Sequence, residues 1–176
     1  VAGWSDTPQY AGNTCSVPLD DGFPKCDASG FFEQVANDKR RFIARFDEDA
    51  KLTWSTKIGD NTNFNNGGFE PISLAIDRDD NVYFHHTSYR IAPTYTAPVP
   101  MLAADGFYIN YAHNDAMTTG RTDTYVVKFN SGTAHLYSTY FGGIGSDFAR
   151  GITAPGDRVY VCGYTYSILN FPTNAP

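Results

Sequence analysis

Carboxylates at alternate positions are the first residues in this chain that could do chemistry. Asp77-Arg78-Asp79-Asp80-Asn81 offers oxygen ligands at Asp77, Asp79 and Asn81, the kind of spacing with which calcium loops surround their ion. The stretch lacks the glycine and the distal glutamate of an EF-hand loop. Asp also favours turns by bonding its own backbone, so a plain hairpin turn is the preferred reading and calcium the weaker one. Asp47-Glu48-Asp49 reads as a second hairpin turn. No pair of carboxylates stands out by position as the acid and base of a glycosidase. Cys15 and Cys26 lie 11 residues apart in a stretch rich in Pro, Gly and Asp. A disulfide there would restrain a segment with little core of its own, by roughly 2–3 kcal/mol. It would also fit an oxidising compartment. Zinc is disfavoured, because the two thiols have no second ligand pair. Cys162 falls in a strand pattern and reads as a small packed residue. His85 and His86 are adjacent in a strand pattern, so they point to opposite faces and cannot easily share a metal. His113 lies in a long loop and His135 begins a strand; all four histidines read as core or surface residues. No Gly-x-Ser-x-Gly, His-Glu-x-x-His or phosphate-binding glycine loop is present. The expectation is a protein that is not an enzyme, without catalytic or cofactor-binding residues.

The elements that would carry these residues are strands. Ile72 to Ile76 alternates apolar with small or polar residues, as a half-buried strand does. Val82-Tyr83-Phe84-His85, 124–129 and 135–141 are rich in β-branched and aromatic types. Asn130-Ser131-Gly132 is a hairpin turn. Only Val35 to Arg41 could make a helical turn, and Lys39-Arg40-Arg41 has the look of a solvated loop end.

The strands recur. Phe42-Ile43-Ala44-Arg45-Phe46 lines up with Tyr125-Val126-Val127-Lys128-Phe129, and Trp54 to Gly59 with Tyr137 to Gly142, each offset by 83 residues. Val1 to Ser5 recurs as Val161 to Thr165, with a looser copy at Phe84 to Ser88. One supersecondary unit is therefore used more than once. The turn at 153–157 reads as one residue shorter than its counterpart at 75–80. Four short antiparallel strands in tandem suggest a β-propeller blade, in an all-β chain of about two blade equivalents. Residues 1–5 close one unit, with a long loop at 6–40. Residues 41–88 supply the next strands, with a long loop at 89–121, and 122–176 supply the following ones. The whole of 1–176 reads as one propeller segment. Two blade equivalents cannot close a ring, so the expected partners are the rest of a larger propeller or neighbouring chains.

Tyr137-Ser138-Thr139-Tyr140-Phe141-Gly142-Gly143, Phe148 to Ile152, Val159 to Ser167 and Phe171-Pro172-Thr173 together resemble the bacterial SBBP-type β-propeller repeat. The match is specific across 122–173, weaker over 42–90, where His85 and His86 replace small residues, and slight over 6–40. The resemblance implies an extracellular or bacterial cell-surface setting and a place in large surface proteins, including adhesins and proteins of secretion or gliding systems. It names no ligand, because one fold hosts many functions.

The net charge of −6 argues against a nucleic-acid partner. The absence of a long apolar run argues against membrane insertion. Aromatic residues make up 15 % of the chain and several fall in the long loops, where they could stack on a carbohydrate or anchor a protein. Tyr89, Tyr95, Phe107, Tyr108 and Tyr111 are the candidates, with packing of each loop on its own blade as the competing reading. The expected function is a non-enzymatic binding or scaffolding module. Alternatives are a propeller-fold glycan lyase or hydrolase with its site at a channel mouth, and a purely structural spacer.

Overall fold

The computed structural model describes residues 1–5, 26, 40–58, 72–89, 122–131 and 133–173. These form nine strands: β1 (Ala2–Ser5), β2 (Arg40–Phe46), β3 (Leu52–Ile58), β4 (Ser73–Ile76), β5 (Val82–Tyr89), β6 (Thr122–Phe129), β7 (His135–Phe141), β8 (Asp147–Thr153) and β9 (Tyr160–Thr165). Among the described residues the fold is all-β, with no helix, and every strand pair is antiparallel. The strands make three sheets, in the orders β1-β2-β3, β4-β5-β6-β7 and β8-β9. Arg40 and Arg41 begin β2, so the run that could have been helical or a solvated loop end is at least partly strand. Arg41 is buried, because it shares a face with the core residue Ile43.

The repeat appears in the hydrogen-bonding register. Arg41 faces Ile58 and Phe46 faces Leu52, with a bulge between Arg45 and Phe46. Eighty-three residues on, Thr124 faces Phe141 and Phe129 faces His135, with a bulge between Lys128 and Phe129. The neighbouring pair obeys the same offset, Ala2 facing Ile43 and His85 facing Val126. A one-residue slip would turn each strand's apolar face to the wrong side, so the shared register carries a shared core pattern.

Three turns are built alike. Asp47, Asp77 and Asn130 each accept at the backbone carbonyl from the N–H three residues on, and donate their own N–H to the carbonyl four residues on. Their side-chain oxygens accept a further N–H four residues on, from Lys51, Asn81 and Ala134, at 2.8, 2.9 and 2.9 Å. The fourth residue of each turn is left-handed: Ala50, Asp80 and Thr133 have φ of 60°, 60° and 71°. None is glycine, so the turn's hydrogen bonds offset the strain of that conformation. The β8–β9 connection is tighter by one residue, as expected: Ala75 and Tyr83 face each other across seven residues, the equivalent Thr153 and Tyr160 across six, with Gly156 at positive φ.

The core lies between the first two sheets. Ile43, Trp54 and Ile58 meet Phe84, Tyr125, Val127, Phe129 and Tyr140. Trp54 and Phe129 pack edge to face at 5.2 Å, and Tyr125 and Tyr140 at 5.6 Å, the arrangement aromatic quadrupoles favour. The opposite face of the four-stranded sheet is covered by β8, which lies against β4, β5 and β6. Thr124 ties the two together: its hydroxyl accepts from the Ala149 N–H at 2.9 Å and donates to the Asp147 carbonyl at 3.4 Å.

Candidate functional site

The expected calcium residues sit in the turn between β4 and β5. Asp77 Oδ1 accepts the N–H groups of Asp79 and Asn81, both at 2.9 Å. Its Oδ2 accepts the Asn81 side-chain amide at 2.8 Å and the Tyr83 hydroxyl at 3.1 Å. Burial works to raise the Asp77 pKa, but the donors from Asn81, Asp79 and Tyr83 outweigh it and hold the carboxyl at about 2. Asn81 thus donates to Asp77, and Asp79 makes a long, exposed contact with Arg78 at 3.9 Å. Among the described residues no group of three or more His, Cys, Asp or Glu side chains is placed to hold a metal ion.

His85 and His86 are both fully buried and on opposite faces of β5. His85 Nε2 meets the Ser73 hydroxyl at 2.8 Å, and its Nδ1 has no partner. Burial lowers its pKa to about 4. His86 Nδ1 donates to the Thr87 carbonyl at 3.0 Å, which leaves Nε2 bare in the inter-sheet core. Its ring lies 5.0 Å from Tyr125 and 5.8 Å from Phe84. Burial first, then the Arg41 guanidinium, hold His86 well below its usual pKa. These are neutral core imidazoles. His135 is partly buried beside Phe129, and burial lowers its pKa in part against a backbone hydrogen bond at Tyr137. His113 lies outside the described residues.

The structure brings together two carboxylates that the sequence reading did not single out. Asp123 and Asp147 are both buried where β6 and β8 begin. A Cβ on Gly142 would sit 2.5 Å from an Asp123 oxygen and 2.7 Å from an Asp147 oxygen, so a larger residue there would have to displace the carboxylates. Asp147 Oδ2 accepts from the Gly143 N–H at 2.8 Å and the Ser167 hydroxyl at 2.6 Å. It fastens the 142–146 connection over the end of the four-stranded sheet. A glycosidic pair needs two carboxyl groups at a defined separation and open to substrate, and these two are buried. The local signal was Gly142-Gly143 followed by Asp147, which reads from sequence as a strand closing and another opening.

The other features are apolar. A cleft of about 500 Å3 opens between the first two sheets, lined by Val1, Ile43, Trp54, Leu74, Ile76 and Phe129 among others. On the outermost strand, Tyr164 stacks on Phe148 at 5.0 Å and meets Tyr166 edge to face at 5.5 Å. The Arg150 guanidinium lies 4.8 Å from the Tyr164 ring and donates to its hydroxyl at 2.7 Å. Of the ten exposed large hydrophobic side chains among the described residues, six lie between Tyr160 and Leu169. Cys162 is exposed and free rather than packed; among the described residues β9 pairs with β8 alone.

Of the expected binding residues, Tyr89 is the last residue of β5, and Tyr95, Phe107, Tyr108 and Tyr111 lie outside the described residues. Cys15 does too. Cys26 is buried and disulfide-bonded, and forms an isolated bridge to Ser55 on the outer edge of β3. No described helix is long and apolar enough to cross a membrane. No family model, no curated protein and no solved structure matches the chain.

Proposed function

We propose that the chain is a β-propeller segment of a secreted or cell-surface bacterial protein, acting as a non-enzymatic binding or scaffolding module. The observation that carries this reading is the stack of antiparallel sheets that repeat one register and one turn. In a propeller reading, β4 to β7 are one blade, β1 to β3 the outer three strands of the blade before it, and β8 and β9 the inner two of the blade after it. The SBBP-type resemblance over 122–173 supports the extracytoplasmic setting, as does the disulfide at Cys26, for which Cys15 is the proposed partner.

The chemistry of the described residues favours binding over catalysis. An enzyme of this class would gather polar groups at an open mouth. Asp123 and Asp147 are instead buried, and Asp147 is occupied in fastening a connection. A scaffold would show aromatic side chains on an edge, and Tyr160, Tyr164 and Tyr166 lie exposed on or just beyond β9. Carbohydrate or protein at the loop aromatics Tyr89, Tyr95, Phe107, Tyr108 and Tyr111 is the proposed ligand class.

The test is the intact mass of the native polypeptide that carries this sequence, from secreted and surface fractions, with and without reduction. A parent well above 19.4 kDa in those fractions is expected. A gain of about two mass units on reduction is also expected, one hydrogen per thiol released. A species confined to the cytoplasm, with no gain on reduction, would overturn the setting.

A further inference from the structure

We propose that Asp147 and Asp123, with the Thr122 hydroxyl, form a site for one hard divalent cation, calcium by its chemistry, where β6 and β8 begin. The two carboxylates come from different sheets and are 2 % and 1 % exposed. They converge on Gly142, where a Cβ would meet Asp123 Oδ1 at 2.5 Å and Asp147 Oδ2 at 2.7 Å. Burying carboxylates is costly unless donors or positive charge compensate them. Asp147 is compensated on one side only. Its Oδ2 accepts from the Gly143 N–H and the Ser167 hydroxyl, whereas its Oδ1 has no hydrogen-bond partner.

A second, independent oxygen lies at the same junction. Thr122 is 4 % exposed and its Oγ1 has no partner. The contacts around it fix its place. The Thr122 N–H donates to the hydroxyl of Ser146, directly before Asp147, at 3.3 Å. Thr124, on the same face of β6, bonds the Asp147 carbonyl and the Ala149 N–H. Continuing the β6–β7 register, in which Thr124 faces Phe141, sets Thr122 opposite Gly143, whose N–H is held by Asp147. Side chains this buried leave no opening for a bulky cationic group, so the ligand they fit is a small ion. The set is all oxygen, which selects a hard cation. Calcium accepts six to eight oxygens in irregular geometry, whereas magnesium demands a near-ideal octahedron. Two carboxylates place the affinity at the weak end, about 10⁻⁴–10⁻³ M, the range of extracellular modules. The inference thus draws on the extracytoplasmic setting for its supply of calcium. A bound ion would tie β6 to β8, one sheet to the next. The Asp77 turn is the contrast: its spacing looks more like a calcium loop, yet both its carboxylate oxygens already accept from donors.

The experiment uses the full chain after chelator treatment, with terbium as a luminescent probe excited through tyrosine and calcium as its competitor. The expected result is saturable emission from one site, displaced by calcium with half-effect at about 0.1–1 mM. Calcium at about 5 mM should also raise the Tm by about 3–5 °C, since it binds the folded chain alone. Asp147→Asn keeps an acceptor for the Gly143 N–H and should weaken calcium binding by at least about tenfold, because affinity follows ligand charge. Thr122→Val keeps the shape of its side chain and should weaken binding about threefold or more. Asp77→Asn should leave binding unchanged. Absence of both saturable emission and a calcium-dependent Tm overturns the proposal. So does binding that is unchanged in both D147N and T122V, which would place the ion elsewhere, or binding lost in D77N alone. T122V keeps the test decisive where D147N fails to fold. None of these results bears on the parent mass or its fraction, so failure here and failure of the functional reading are told apart.

Discussion

His86 shows how much one residue can be asked to hold. Its Nδ1 is committed to the Thr87 carbonyl, and its Nε2 is bare between Phe84, Tyr125 and the side of the sheet that Arg41 faces. A proton there would put a charge into the inter-sheet core. The folded pKa values of His85 and His86 lie below the unfolded value near 6.5, so the unfolded chain binds more protons than the folded one as pH falls below that value. Stability is therefore full above pH 6.5 and declines from there towards pH 4. His86→Phe, which keeps a ring beside Tyr125 and removes the titrating nitrogen, should flatten part of that decline in Tm between pH 7.5 and 5. An unchanged slope would show that His86 is not responsible. Asp77 acts lower. Its folded pKa of about 2 is below the ordinary 3.8, so its contribution is present above 3.8 and lost as pH falls to 2. Asn130 heads the same kind of turn without a charge. Asp77→Asn should thus keep much of the turn and lose the acid dependence, whereas Asp77→Ala should destabilise at neutral pH as well. Thermal melts of both variants from pH 2 to 7 separate the two, and equal melts at pH 7 would refute the turn's dependence on its side-chain acceptor.

At the scale of elements, β8 and β9 depend on close backbone approach. A Cβ on Gly163 would lie 2.0 Å from the Phe148 carbonyl oxygen, and neither partner is a flexible side-chain end. Gly163→Ala should force the two strands apart and cost at least about 1–3 kcal/mol, with accelerated exchange confined first to 147–165. Exchange unchanged there would sink the close-packing account. Much of this level was legible in the sequence. Hairpins such as β6–β7 announce themselves locally, by alternation and an Asn-Ser-Gly turn. The pairing of β5 with β6 crosses the long 90–121 segment, and only the internal repeat pointed to it. What could not be read is what depends on a neighbour's absence or on distant approach. Cys162 has the same strand context as buried His85 yet is exposed, because among the described residues nothing packs over β9. Asp123 and Asp147 meet across Gly142 although no local pattern links them. Arg41 looked solvated because its basic neighbours suggested a loop; strand alternation with Ile43 decides otherwise.

For the whole molecule, apolar surface is divided unequally between the two interfaces of a sheet stack. The first two sheets share a filled aromatic core, whereas the outer face of β9 and the segment after it show Tyr166, Ile168 and Leu169 to solvent. If burial follows the repeat, truncation should be costly in the first place and nearly free in the second. Trp54→Ala removes a side chain that is 2 % exposed and packed on Phe129, and should cost about 3–5 kcal/mol. Ile168→Ser, at 88 % exposure, should change stability by no more than about 0.5 kcal/mol. Denaturant unfolding of both variants, followed by tryptophan fluorescence for I168S and by circular dichroism for W54A, measures the contrast. The stacking account also requires that exposed residues near β9 be available to a partner. I168S should therefore reduce binding of a hydrophobic dye while leaving the melt unchanged. A melt lowered as far as that of W54A would mean that Ile168 already packs within this chain, and that the sheet stack ends at β9.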